Sequence, residues 1–273
     1  MAESFTIPAD MVRSPREKDE IVSNVEETLE FLDTHQIKGT FFILGIIAQD
    51  QPEVVYRIAA AGHEIGSHCY EHLRLFNMVP ATVKEVISRS KKVLEDVSGK
   101  QVLGFRAPDF SISQKTLHIL DLIREVGYVY DSSIVPISSH DVYGVKNAKP
   151  VIHQLPNGLI EFPAVTYKVL GKSIPALGGG YFRLYPLPLS RYILKSLEKR
   201  NHPAMFYVHP YEIGSQYPVF KNISMMRKLR HYFNINKPKE RFRRLFKEFS
   251  FGRAIDILQS EGFVASDPIL QKS

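Results

Sequence analysis

Apolar residues recur along this chain with two different periods, and the two alternate. From Glu20, the residues Ile21, Val25, Leu29 and Leu32 fall three or four apart among Glu26, Glu27 and Glu30, which predicts an amphipathic helix. Gly39-Thr40-Phe41-Phe42-Ile43-Leu44-Gly45 is instead a short, continuous run rich in aromatic and β-branched residues, and predicts a buried strand. A helix over 51–61 follows, with Pro52 at its first turn, then a strand over 63–66. The order repeats with a helix over 80–99, a strand over 102–106, a helix over 113–126 broken by Gly127, and a strand over 128–130. Such alternation predicts an α/β fold with a parallel sheet, open or closed into a barrel.

Past residue 133 the periodicity fades. Residues 134–185 carry many prolines and glycines and short strand-like pieces such as Ile160-Glu161-Phe162. They predict an irregular insertion with a hairpin, capped by Gly178-Gly179-Gly180. A helix over 187–200 and a strand over 204–208 resume the pattern. A basic helical region over 222–249, a last helix over 253–262 and a strand-like Phe263-Val264 complete it. Residues 1–20, with Pro8 and Pro15, read as an irregular lead-in. The whole chain, 1–273, is expected to form a single domain with this lead-in, the insertion at 134–185 and a basic extension at 221–253.

Composition narrows the class. Hydrophobic residues make up 44%, enough for a sizeable core. Cys69 is the single cysteine, so no internal disulfide can form, which fits a reducing compartment. The first residues lack the basic start and apolar core of a signal peptide, and the longest apolar run, 41–48, is too short to span a bilayer. A soluble, cytoplasmic chain is the expectation. The net charge is +6, and between Lys221 and Arg253 only Glu240 and Glu248 oppose many basic residues. A solvated helix face is the commoner meaning of such a stretch, and contact with an anionic surface the other. No nucleic-acid motif accompanies it, so no nucleic-acid partner is expected. The oligomeric state is not legible.

Candidate chemistry collects at predicted strand ends. His68 and His72 lie four apart, just past the strand at 63–66, on a loop or helical turn where both rings can face one cation. Histidines so spaced also arise by chance on a solvated turn. Arg106, Asp131 and His209 each close a predicted strand. Each has an ordinary explanation: Arg106 pairs with a carboxylate, Asp131-Ser132-Ser133 caps a helix or turn, and His209 before Pro210 sits at an edge. Their shared place at the C-terminal rim of a parallel sheet, where such folds build sites, is what joins them.

These passages together resemble the polysaccharide deacetylase family, the nodulation-deacetylase homology domain of carbohydrate esterases. The resemblance runs from about Glu20 to the C-terminus. Thr40-Phe41-Phe42 with Gly62-His63-Glu64-Ile65-Gly66-Ser67-His68 and His72 is its most specific passage. Arg106-Ala107-Pro108, Asp131-Ser132-Ser133 and Phe206-Tyr207-Val208-His209-Pro210 are similar to the family's arginine, aspartate and histidine motifs. Gly178-Gly179-Gly180-Tyr181-Phe182-Arg183 and the basic tail resemble a bacterial subgroup linked to exopolysaccharide biosynthesis. The resemblance implies a distorted (β/α) barrel of about seven strands. It further implies metal-dependent hydrolysis of N-acetyl groups on a polysaccharide, with His68 and His72 as ligands of zinc, or of cobalt or nickel. His209 is then the general acid, with Asp131 holding its charged form and Arg106 orienting the catalytic carboxylate. One departure stands out. The family opens with a strand carrying two acidic residues, a metal ligand and the base; here Asp10 stands alone after Pro8. The resemblance therefore implies an open barrel edge, weakened metal binding and impaired activity. A glycan-binding pseudoenzyme and an amidase acting on a small amide or ureide remain the alternatives.

Overall fold

The structure, a computed structural model, describes residues 15–138, 143–217, 225 and 232–265. Helix α1 (Pro15–Thr34) leads into strand β1 (Thr40–Ile43). Two helices, α2 (Gly45–Asp50) and α3 (Pro52–Ala60), then precede β2 (Glu64–Ser67). Next come α4 (Pro80–Ser98), β3 (Gly104–Phe105), α5 (Ile119–Glu125) and β4 (Tyr130–Asp131). The central sheet runs β1-β2-β3-β4-β6-β5, where β5 is His153–Gln154 and β6 is Ile160–Glu161. All its pairings are parallel except β5 with β6. The predicted insertion thus contributes two strands, β5 and β6, to the main sheet, and its expected hairpin is β7 (Thr166–Val169) with β8 (Lys172–Pro175).

The core forms where the helices cover this sheet. Val25, Ile58, Ile65, Leu94, Phe105, Ile123 and Tyr128 pack in one cluster. Tyr130 crosses β3 over Gly104, where an added Cβ would lie 2.1 Å from the ring, so glycine is required there. A second cluster joins Phe31 of α1 to Leu177, to Phe182 of α6 (Gly179–Leu184), to Ile193 of α7 (Leu187–Glu198) and to Leu245 of α8 (Pro238–Phe246). The last helix is α9 (Ala254–Ser260).

Several elements differ from the sequence pattern for local reasons. The helix expected from residue 113 begins only at Ile119, because the Thr116 hydroxyl accepts the Ser113 N–H at 2.9 Å and stabilises a turn instead. Gly178 caps nothing behind it; it opens α6. Residues 204–208 form no strand, and make single bridges from Met205 to Ala164 and from Tyr207 to Gly178, both outside the named strands. Phe263-Val264 likewise forms no strand. Of the basic region, 218–224 and 226–231 lie outside the described residues. In α8, Arg243 and Arg244 pair with Glu240, and Arg241 donates to the carbonyls of Arg183 and Tyr185 at 3.3 and 3.0 Å. Among the described residues no helix is long and apolar enough to cross a membrane.

Among the described residues the outer edge of β1 is unpaired. Its register with β2 turns the N–H and C=O of Phe41 and Ile43 toward β2 and those of Thr40 and Phe42 away from it. On that side neither backbone finds a partner among the described residues. A cavity of about 1540 Å³ is lined both by residues 40–44 and by residues 204–208. Among the described residues, no strand pairs between these two segments.

One buried histidine outside the rim makes the fold acid-sensitive. His63 Nδ1 accepts the Gly39 N–H at 3.0 Å, so its neutral form is built into the β1–β2 entry. Burial, reinforced by the charge of Lys38, lowers its pKa from 6.5 to about 4. The unfolded chain binds this proton first as pH falls. The contribution is therefore complete above pH 6.5 and is lost between 6.5 and about 4. We expect up to about 3 kcal/mol of stability to disappear over that window. His63→Asn, whose amide oxygen can replace Nδ1 as acceptor, should flatten the acid limb in urea titrations repeated across pH. An unchanged slope would show that another group carries it.

Candidate active site

The rim of the parallel sheet is where the polar groups meet. Past Ser67 the chain turns through Cys69, a buried non-glycine residue at a φ of 69°. Such a backbone is costly and persists only where surrounding contacts impose it. The turn sets the rings of His68 and His72 side by side, with centroids 5.1 Å apart. Nδ1 of His68 lies 2.7 Å from the Arg106 carbonyl oxygen, so that nitrogen carries the proton and Nε2 keeps its lone pair. Nδ1 of His72 is buried with no hydrogen-bond partner. Burial, and then the neighbouring His72, pushes His68 well below its usual pKa. Burial also lowers His72, against the pull of Asp109. Neutral imidazoles are the form that ligates metals, and an orphaned buried ring nitrogen beside a free Nε2 suits a divalent cation. Among the described residues no third His, Cys, Asp or Glu completes the group. Asp10, the nearest acidic residue in the lead-in, lies outside the described residues.

Arg106 continues β3 onto the same rim and is almost fully buried. Its Nε donates to the Ser132 carbonyl at 3.1 Å and its Nη2 to the Ser132 hydroxyl at 2.8 Å. The guanidinium lies 4.3 Å from the centroid of Phe42 and 5.3 Å from that of Phe110, a cation–π setting. Burial lowers its pKa to about 10, which leaves it charged at neutral pH. Behind it stand two carboxyls in register across β4 and β6, Asp131 and Glu161, both with no exposure. Asp131 accepts from the Ser133 N–H at 3.0 Å and the Ser133 hydroxyl at 2.7 Å, and Glu161 accepts from the Ile134 N–H at 3.0 Å. Burial raises both carboxyls, and the Asp131 charge raises Glu161 further. Two carboxyls so placed cannot both ionise, and Glu161 is the one that keeps a proton.

His209 enters from residues 204–209 and stacks on Tyr211, with centroids 5.1 Å apart and planes at 11°. Its Nδ1 lies 3.0 Å from Glu212, and its backbone N–H donates to the same oxygen at 2.9 Å. The expected partnership with Asp131 is not what the structure shows. Asp131 is sealed behind Arg106 and bonded to Ser133, and Glu212 holds the imidazole instead. His68, His72, Arg106, Asp109 and His209 line one cavity with Phe110 and Tyr207, whereas Asp131 does not reach it. Sequence reasoning passed over Glu161, Arg183 and Glu212 as site residues. Glu212 had a visible signal, since it follows His209 by three residues and can turn back on it as an N-terminal cap. Glu161 had none, since its partner lies thirty residues earlier.

A mostly parallel α/β sheet with an imidazole pair, an arginine and a further histidine on its C-terminal rim defines a deacetylase-type distorted barrel. Residues 17–130 match the model of the polysaccharide deacetylase family. Residues 132–259 match a domain of unknown function (DUF3473). His68, His72 and Arg106 lie in the first match, His209 in the second, and Asp131 between them. The chain is 34% identical over 89 residues to a peptidoglycan-N-acetylglucosamine deacetylase of Bacillus cereus, covering 33% of this chain and 32% of that protein. It is 33% identical over 105 residues to a chitooligosaccharide deacetylase of Azorhizobium caulinodans, covering 37% and 50%. The chain spans about a third to a half of the length of the curated relatives it matches. A putative polysaccharide deacetylase from Mycobacterium smegmatis superposes with a TM-score of 0.63 at 21% identity, over 94% of this chain and 83% of that one, and so shares the fold.

The shared proton gives the site a stability test. If Glu161 is neutral, Glu161→Gln keeps the acceptor for the Ile134 N–H and a donor toward Asp131. It should cost less than about 1 kcal/mol, whereas Glu161→Ala, which orphans that N–H and opens a void, should cost about 2–4 kcal/mol. Denaturant unfolding at pH 7 compares them. Equal losses would mean that Glu161 is ionised.

Proposed function

We propose that this chain hydrolyses the N-acetyl groups of a bacterial polysaccharide, an exopolysaccharide or a cell-wall glycan, and that both matched segments act as one unit. The observation that carries the proposal is the convergence of the His68–His72 pair, Arg106 and His209 on one cavity. The relatives' activities on peptidoglycan and chitooligosaccharide support an N-acetylated glycan as substrate.

His68 and His72 would hold the divalent cation, zinc or else cobalt or nickel. When bound, that cation supplies Lewis acidity to the amide carbonyl and to the attacking water. The protein's own groups do the rest. Arg106, fixed by Ser132, places a positive charge that cannot swing away at the cavity wall, where the tetrahedral intermediate gathers negative charge. His209 keeps Nδ1 against Glu212, so its Nε2 is the nitrogen free to deliver a proton to the departing amine. Phe110 and Tyr207 supply apolar wall of the kind that sugar rings rest on. Asp131 acts from behind, balancing Arg106. An anionic contact through the basic extension would rest on residues outside those described.

Acetate release from a chitin oligomer or an acetylated exopolysaccharide, with zinc or cobalt supplied, tests the proposal. We expect weak but measurable turnover, lowered about 100- to 10,000-fold by His209→Ala. Zinc binding followed by calorimetry should be lost in His68→Ala and His72→Ala. Glycan binding without acetate release under any of these conditions would overturn the hydrolase in favour of a binding protein.

A further inference from the structure

Glu212 is an unusual carboxylate. It is 3% exposed, yet it belongs to a single short turn, Pro210–Glu212, at the edge of the cavity. One of its oxygens meets both the ring and the backbone N–H of His209. The other lies 2.9 Å from Nε of Arg183, which is itself only 5% exposed. A buried ion pair brings little net stability, because desolvation cancels most of the attraction. Its use is to hold geometry.

Arg183 is brought there by the glycine run that opens α6. Gly178 has a φ of 110°, and a Cβ on it would lie 2.4 Å from the Tyr207 ring. Gly179 N–H donates to the Tyr207 carbonyl at 3.0 Å. The run thus lays α6 directly against the segment that carries His209. The far end of α6 is gripped in turn: Arg241 of α8 and the Asn234 amide both donate to the Arg183 carbonyl, at 3.3 and 3.1 Å. Residues from three separate stretches of chain therefore converge to fix one imidazole.

We propose that Glu212, clamped by Arg183, is the positioning residue for His209, taking the place that sequence comparison suggests for Asp131. The role rests on the deacetylase proposal above only in its catalytic part. In that step imidazolium Nε2–H passes its proton to the amine nitrogen as the C–N bond breaks. The ring is left neutral with its remaining proton on Nδ1, and Glu212 is the acceptor that keeps it there. The carboxylate is suited to this. Burial alone would raise its pKa, but the hydrogen bonds from His209 and the charges of His209 and Arg183 prevail and hold it below its usual range. It is therefore anionic at neutral pH.

The experiment reads the tautomer of His209 in the whole chain by long-range 1H–15N correlation, without substrate. Neutral His209 should be the Nδ1–H form. In Glu212→Gln the amide loses the charge that pairs with Arg183 and keeps one oxygen for two donors, the ring and the His209 N–H. The Nδ1–H population should therefore fall in favour of Nε2–H. Arg183→Met, which leaves the carboxylate in place but free to turn, should give a mixture, and it serves if the first variant does not fold. An Nε2–H tautomer in the unsubstituted chain, or an unchanged spectrum in the variants, overturns the proposal. Acetate release separates the two levels. A fall in kcat of at least about tenfold in Glu212→Gln with KM little changed supports the catalytic part. A change in KM alone overturns that part. The expected tautomers with no acetate release from any form leave the positioning role standing and remove the deacetylase.

Discussion

The burial of one guanidinium organises this site. Arg106 sits at the end of β3 with its charge out of water, a placement that is tolerable only if oxygens and a counter-charge surround it. Its own carbonyl orients His68. The next residue, Ala107, donates its N–H to the Ser133 hydroxyl at 2.8 Å, and that hydroxyl in turn donates to Asp131. The Ser132 hydroxyl, which receives the guanidinium, passes its own proton to the Phe162 carbonyl at 2.7 Å. Strands β2, β3, β4 and β6 are therefore tied at the rim through one side chain and its immediate neighbours. Burial raises both carboxyls of the Asp131–Glu161 pair that stands behind Arg106.

The two matched segments divide the chemistry between them. The first brings the imidazole pair and Arg106. The second brings Glu161 beneath Arg106, and the His209–Glu212–Arg183 chain across the cavity. Parallel topology is what makes this division workable: β1, β2, β3, β4 and β6 all end on the same side of the sheet, so groups far apart in sequence arrive at one rim. The basic α8 takes part from a distance, through Arg241 and its hold on α6. Arg241, only partly buried, is thus tied to backbone carbonyls at the end of α6.

The outer edge of β1 sets a different constraint. Among the described residues, the outward backbone groups of Thr40 and Phe42 meet no neighbouring strand. Unpaired groups on a strand edge invite pairing with another extended segment. The segment at 204–208, which lines the same cavity as β1, makes only single bridges among the described residues. His209 therefore depends less on sheet hydrogen bonds than on Glu212, Tyr211 and α6 for its place.

Much of this was legible in the chain. The alternation of helical and strand periods gave the parallel α/β class, because amphipathic periodicity is a local consequence of which face is buried. The pair His68 and His72, Arg106 and His209 stood out as candidates because each lies in a short, specific motif. Strand lengths were overestimated at 102–106 and 204–208, since pairing depends on neighbours that the local pattern cannot show. The partner of His209 was misassigned for the same reason. Asp131 and Glu212 are both acidic residues near candidate motifs, and only packing decides that one is sealed behind Arg106 while the other turns back on the imidazole. Local sequence carries which residues can do chemistry. Which of them meet, and which proton two buried carboxyls share, is settled by contacts between residues thirty or more positions apart and by the low dielectric that folding places around them.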